Sequence, residues 1–265
     1  MATDMLLVKL LTTIALVLGL SWVAERVDTR VAGILSGMPL GSLLVLFFVG
    51  QELGPVFTRE SALYAIPALT GTLVFAGVYY LASRHDHILG PLIATSAALP
   101  CYLLIAVAMS QITFTLGTGI VVTCLAIVLS IRLFDHIPDQ KVEKRVRLTI
   151  RHLLFRAGAA AFFVAAITGI ARSVGPRWSG LLIGFPITFL PFLLIIHLTY
   201  SRQHAHTIIR NFPIGLGGLI AYLSLVYLAI PAVGVNLSIV TGLSGSLVYL
   251  IIISYLLRRR RRLAA

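Results

Sequence analysis

Nine stretches of roughly 20 residues, nearly free of charge, follow one another along this chain, and they limit its fold more than any other feature. They fall at approximately 5–24, 31–50, 62–82, 89–109, 112–133, 152–172, 179–200, 211–230 and 235–257. A helix needs about 20 residues to cross the ~30 Å apolar core of a bilayer, whereas a barrel strand needs about ten that alternate apolar and polar. Only helices and closed barrels satisfy backbone polar groups in lipid, so continuous runs of this length predict helices. Composition agrees, with 58% hydrophobic and 11% charged residues and a mean hydropathy of +0.99. Ordinary soluble domains carry about 25% charged residues. The expected fold class is therefore all-α, a polytopic membrane protein of nine spans.

The net charge of +12 raises nucleic acid as a partner, and its placement argues against it. Basic residues collect in cytoplasmic loops of membrane proteins. With nine spans and the C-terminus inside, 17 of the 21 Lys and Arg residues lie on the cytoplasmic side, leaving Lys9, Arg59, Arg172 and Arg177 outside. That asymmetry predicts N-out, C-in. The run Arg258 to Arg262 is expected to anchor the last span on anionic lipid headgroups, at about 1 kcal/mol per arginine. Cys101 and Cys124 fall inside spans without metal-ligand spacing and read as small packing residues, and no metal or cofactor is expected. The first run lacks a basic leader and is followed directly by Glu25 and Arg26, so it is expected to stay on the chain as a span.

Sliding the chain on itself by 147 residues lays 30-RVAGILSGMP-39 on 177-RWSGLLIGFP-186, with seven of twenty positions identical over 30–49 and 177–196. Arg30/Arg177, Gly33/Gly180, Gly37/Gly184 and Pro39/Pro186 carry the match. After a one-residue gap, 67-PALTGTL-73 lies on 213-PIGLGGL-219. Spans one to four thus correspond to six to nine. Residues 1–110 form a first repeat, 111–148 a linking span with a basic cytoplasmic loop, and 149–265 a second repeat with a basic tail. Equivalent spans lie five apart, an odd number, so the halves are expected to be inverted. Inverted repeats with broken helices at their interface are an architecture of secondary transporters.

Proline nine residues into a helix removes a donor and frees the carbonyl four residues earlier. Nine residues carry the chain roughly 13 Å inward, so Pro39 and Pro186 are expected near the midplane, reached from opposite sides. Freed carbonyls suit a cation, and the N-terminus of a restarted half-helix suits an anion. Gly33, Ser36, Gly37, Pro39, Gly180, Gly184, Pro186 and Thr188 are the candidate substrate-binding residues, with Ser42 as a further hydroxyl. The competing reading is packing, because small-x-x-x-small patterns join helices in membranes. Pro67 with Gly71, and Pro213 with Gly217, read more simply as kinks. Tyr64, Tyr80 and Tyr227 are candidate hydrogen-bonding partners for a polar solute. Glu25, Asp28 and His197 are the candidate coupling groups, His197 also reading as a hydrogen-bonded helix-end residue. Arg30 and Arg177 are placed in the two vestibules, or as interfacial anchors, and Trp22 and Trp178 in the interfacial belt.

Enzymatic readings are weak. No G-x-x-x-x-G-K-[ST] or H-E-x-x-H occurs. The segment 242-GLSG-245 has the form of an intramembrane serine-protease motif, but no histidine follows Ser244 to take its proton. The stretches 179-SGLLIGFPITFLPFLLIIHLTYSR-202 and 213-PIGLGGLIAYLSLVYLAI-230 resemble the GlpM family of small bacterial inner-membrane proteins, about half this length, and the chain looks like a doubled version. The resemblance implies a bacterial inner membrane. The function expected is a secondary transporter or exporter of a small solute, anions included. The alternatives are a flippase for a phosphorylated lipid or lipid-linked saccharide, and a non-transporting scaffold. Expected partners are the bilayer with its anionic headgroups, the solute or lipid carried, and a second copy in a homodimer, with no nucleic acid.

Overall fold

The computed structural model describes residues 7, 9–15, 18, 38–84, 89–138 and 149–263. Every element among them is helical: α1 (Leu40–Ala82), α2 (Gly90–Ser110), α3 (Leu116–Phe134), α4 (Ile150–Ile183), α5 (Phe189–Thr199) and α6 (Arg202–Leu263). The described positions between 7 and 18 are helical too. Five of these helices, all but α5, are long and apolar enough to cross a membrane.

Three of the five are not straight rods. A 43-residue helix would run to about 65 Å, twice the apolar core of a bilayer. α1 instead turns at Gly54, α4 at Gly175 and α6 at Gly234, with φ of 83°, 79° and 72° and ψ near 180°. That region of backbone space is open almost only to glycine. Contacts prove the reversals. Residues eight apart in a helix sit about 12 Å apart along its axis, yet Ser179 Oγ donates to the Ala171 carbonyl at 3.3 Å. Across the third turn, Tyr249 OH reaches the carbonyl of Ile214 at 2.9 Å.

Each turn is made by a single glycine, and the three lie in the gaps between expected spans at 51–61, 173–178 and 231–234. Pro55 and Pro176 follow two of the glycines at the start of the returning limb, where a missing N–H costs nothing. Thr58 and Ser179 then donate back to the glycine carbonyls, each at 2.8 Å. The residues on both sides of each turning glycine are helical, and at Gly54 and Gly175 a glycine–proline pair ends one limb and begins the next without a connecting segment.

Many large apolar side chains of the described residues face outward, as on lipid-facing helices. On α2 the buried positions are Gly90, Pro91, Ala94, Ala98, Tyr102, Ala106 and Ser110, a stripe of mostly small residues at helical spacing. Leu92, Leu103 and Leu104 point outward. Small residues let the backbone of α2 approach α1, which also packs on α3, α4 and α6 and forms the centre of the fold. Cys124 lies on the outward face and only Cys101 is half-buried, so the packing role expected of both thiols fits Cys101 alone. The basic segment 139–148 lies outside the described residues.

Candidate functional site

The second proline-bearing decapeptide ends in a break between two helices, and the first ends where a helix begins. α4 ends at Ile183 and α5 starts at Phe189, so Gly184-Phe185-Pro186-Ile187-Thr188 is an interruption inside one apolar run. In the other copy Met38 and Pro39 are non-helical and α1 starts at Leu40. Pro186 has no N–H to give to the Leu182 carbonyl, which accepts from Phe185 N at 3.1 Å instead. Leu190 N then donates to the Pro186 carbonyl at 2.9 Å and starts the new helix.

The carbonyls at the end of α4 are served from other elements. Tyr102 OH on α2 donates to Leu181 O, and Thr72 Oγ1 on α1 donates to Gly184 O. Both pairs are buried, and Thr72 and Tyr102 are almost wholly shielded. These two oxygens are already paired within the protein. Sequence reasoning missed both donors. Their only signal was a threonine and a tyrosine inside apolar runs, residues that need a hydrogen-bond partner when buried.

The two breaks meet. A Cβ added to Gly41 would stand 3.0 Å from Ile187 Cβ. Between them lies a cavity of about 30 Å³, bounded by Met38, Gly41 and Ser42 from one break and Gly184 to Phe189 from the other. Thr72 closes one wall, and Phe212, Leu216 and Leu219 of α6 another. Ser42, Thr72 and Thr188 supply three hydroxyls around a space that fits one or two waters. The first turns of α1 and α5 both start at this cavity, and helix N-termini carry partial positive charge.

Gly180 and Gly184 sit on a different surface from the one expected of ligand contacts. A Cβ on Gly180 would strike the Ser61 carbonyl, and one on Gly184 would strike Ala68 Cβ. They press the end of α4 onto the returning limb of α1, and Gly184 reaches the cavity through its backbone alone. Pro39 and Pro186 are both buried at the breaks, and Thr188 is the residue before the α5 helix. Gly33, Ser36, Gly37, Glu25, Asp28 and Arg30 lie outside the described residues, as does Trp22.

The remaining candidates are scattered. His197 is in the last turn of α5, its Nδ1 2.9 Å from Tyr79 OH, away from the cavity. Arg177 donates to the Ser110 carbonyl at 3.0 Å, at the C-terminus of α2, and its guanidinium lies 4.9 Å over the Tyr64 ring. A cation at that negative helix end is favourable. Tyr227 lies 4.3 Å beneath Arg59, and Tyr80 stacks edge-on against His206. None of the three tyrosines lines the cavity. Ser244 donates to the Val240 carbonyl of its own helix. Among the described residues no cluster of His, Cys, Asp and Glu could hold a metal ion.

Two further features had no counterpart in the sequence reading. A groove of about 490 Å³ runs between the tips of the α1 and α6 hairpins, lined by Pro55, Arg59, Glu60, Tyr227 and Pro231 among others. Lys9 is buried and paired with Glu52 at 2.5 Å. Contacts also recur at the repeat spacing. Gly71 packs against the Tyr102 ring, and Gly217, its counterpart, against the ring of Tyr249, 147 residues after Tyr102. Compared with protein-family models, with curated proteins and with solved structures, the chain matches none.

Proposed function

We propose that this chain is a secondary transporter or exporter that carries a small solute, anions included, by rocking one inverted half against the other. In this reading nine spans run N-out to C-in across a bacterial inner membrane, as a doubled GlpM-like unit. The observation that carries it is the meeting of the break after α4 with the start of α1, at Pro186 and Pro39, 147 residues apart, beside one hydroxyl-lined cavity. Two helix N-termini and the hydroxyls of Ser42, Thr72 and Thr188 favour a solute with negative character at its polar end. At about 30 Å³ the cavity holds water and no metabolite. The described arrangement is thus a closed one, and a solute enters only as the breaks separate. The matched Gly71–Tyr102 and Gly217–Tyr249 contacts support the duplication.

Flux into proteoliposomes across a panel of labelled carboxylates, phosphates and neutral metabolites tests the reading. Saturable uptake is expected for at least one solute. Thr188→Val is expected to reduce it about tenfold, the loss of one hydrogen bond to a charged group. Unchanged uptake in Thr188→Val and Ser42→Ala removes the cavity as the site. No flux for any solute leaves the scaffold reading, which the packed Gly180 and Gly184 favour. The groove between the hairpin tips favours the flippase reading, with the same vesicles loaded with a labelled phospholipid as its assay.

A further inference from the structure

The two repeats each bury one basic side chain at the same position in sequence. At the 147-residue offset 6-LLVK-9 falls on 153-LLFR-156, so Lys9 and Arg156 are counterparts. Both are 7% exposed. Each lies against a phenylalanine, Lys9 Nζ 5.9 Å from the Phe48 ring centre on α1 and the Arg156 guanidinium 4.8 Å from that of Phe192 on α5. Their charges are treated differently. Lys9 has Glu52 at 2.5 Å and donates to Thr168 Oγ1 at 2.9 Å. Arg156 has no ion pair or hydrogen bond among the described residues, and its Nε is buried without a partner.

An arginine does not escape this by losing its proton. A buried charge without a counter-charge is strongly unfavourable, and an aromatic ring returns only part of the loss. Inside a membrane protein such a residue marks a ligand path. We propose that Arg156 is the charged element of an oxyanion-binding site, and that Lys9–Glu52 is the same position closed by an internal carboxylate. The guanidinium fork suits a carboxylate or phosphate, which two parallel N–H groups hold. Phe192 belongs to the first turn of α5, so the partial positive charge of that helix end adds to the site. The inference deepens the transporter reading and rests on it for the site's purpose, while the binding itself is separately measurable.

The test is thermal unfolding of the full chain in neutral detergent, titrated with sodium acetate and sodium phosphate at ionic strength balanced with chloride. A parallel arm uses nanodiscs of phosphatidylcholine with and without phosphatidylglycerol. A dissolved oxyanion shows as a saturable rise of a few degrees in detergent, a lipid phosphate as a rise only with phosphatidylglycerol. In Arg156→Gln the rise is expected to vanish, and in Arg156→Lys, which keeps the charge and loses the fork, to need several-fold more anion. Arg210→Gln, at an arginine paired with Asp135, is expected to keep it. The proposal is overturned by an undiminished rise in Arg156→Gln, or an unchanged midpoint concentration in Arg156→Lys. It is also overturned by a wild-type protein that no oxyanion or anionic lipid stabilises, the outcome if a carboxylate of the chain already neutralises Arg156. Flux that fails while the rise persists removes the transporter and leaves this site. Flux with unchanged solute dependence in Arg156→Gln, together with an undiminished rise, removes this site and leaves the transporter.

Discussion

The Thr72 hydroxyl takes the carbonyl of Gly184, the residue at which α4 gives way to the break. Four carbonyls at any helix end lack intrahelical partners, and one left unpaired in a buried setting costs about 1–3 kcal/mol. Thr72→Val keeps the shape and removes the donor, so the mutant is expected to be less stable by about that amount. Thr72→Ser keeps the donor and is expected to lose under about 1.5 kcal/mol, the deletion of one methyl. Unfolding midpoints in detergent, compared for the three proteins, settle the matter. Equal stability of Thr72→Val and wild type means the break is held by packing and not by this bond. The same hydroxyl borders the cavity, so stability and site share an atom: a solute that competes for Thr72 frees the end of α4.

At the scale of elements, three hairpins hinge on three glycines with room around them. Nothing stands within 4 Å of a Cβ built on Gly175, so crowding does not explain it. Its φ of 79° does, because a side chain there strains the backbone by about 1–3 kcal/mol. Gly175→Ala is expected to destabilise by that amount. Gly169→Ala, equally open but helical, is expected to stabilise by about 0.5–1 kcal/mol. Opposite signs of the change in unfolding midpoint are the readout, and a neutral Gly175→Ala would show that the turn relaxes. These hinges also explain what was legible. The apolar runs and the break at Pro186 were readable because hydropathy and a missing N–H are local properties. The one-residue turns were not, since 51-QELGPVFTRES-61 has the composition of a loop and only backbone geometry shows Gly54 doing the turning alone. Thr72 and Tyr102 escaped for another reason. Their partners lie 112 and 79 residues away, beyond any spacing a sequence pattern reports.

For the molecule as a whole, the two proline-bearing stretches of similar sequence come together at one contact. A break alone weakens a helix, and a pair that meet, as Gly41 meets Ile187, places the weak points of two helices on each other. They lie in the two stretches related by the 147-residue offset, so the proposed rocking of one half against the other separates them. In the proposed transporter, a covalent tie at this contact is expected to stop flux without touching the membrane ends. Gly41→Cys with Ile187→Cys places the two Cβ atoms about 3.0 Å apart before relaxation. A disulfide asks for roughly 3.5–4.5 Å, a shift of about half an ångström. In a background with Cys101 and Cys124 replaced by alanine, oxidation is expected to abolish flux in proteoliposomes and reduction to restore it. Each single-cysteine protein is expected to be indifferent to redox state. The cross-link itself is followed by the change in gel mobility of the intact chain. A fully cross-linked protein that still carries solute would show that the breaks stay together during turnover, and the moving parts would then have to be sought at the hairpin tips around Arg59 and Tyr227.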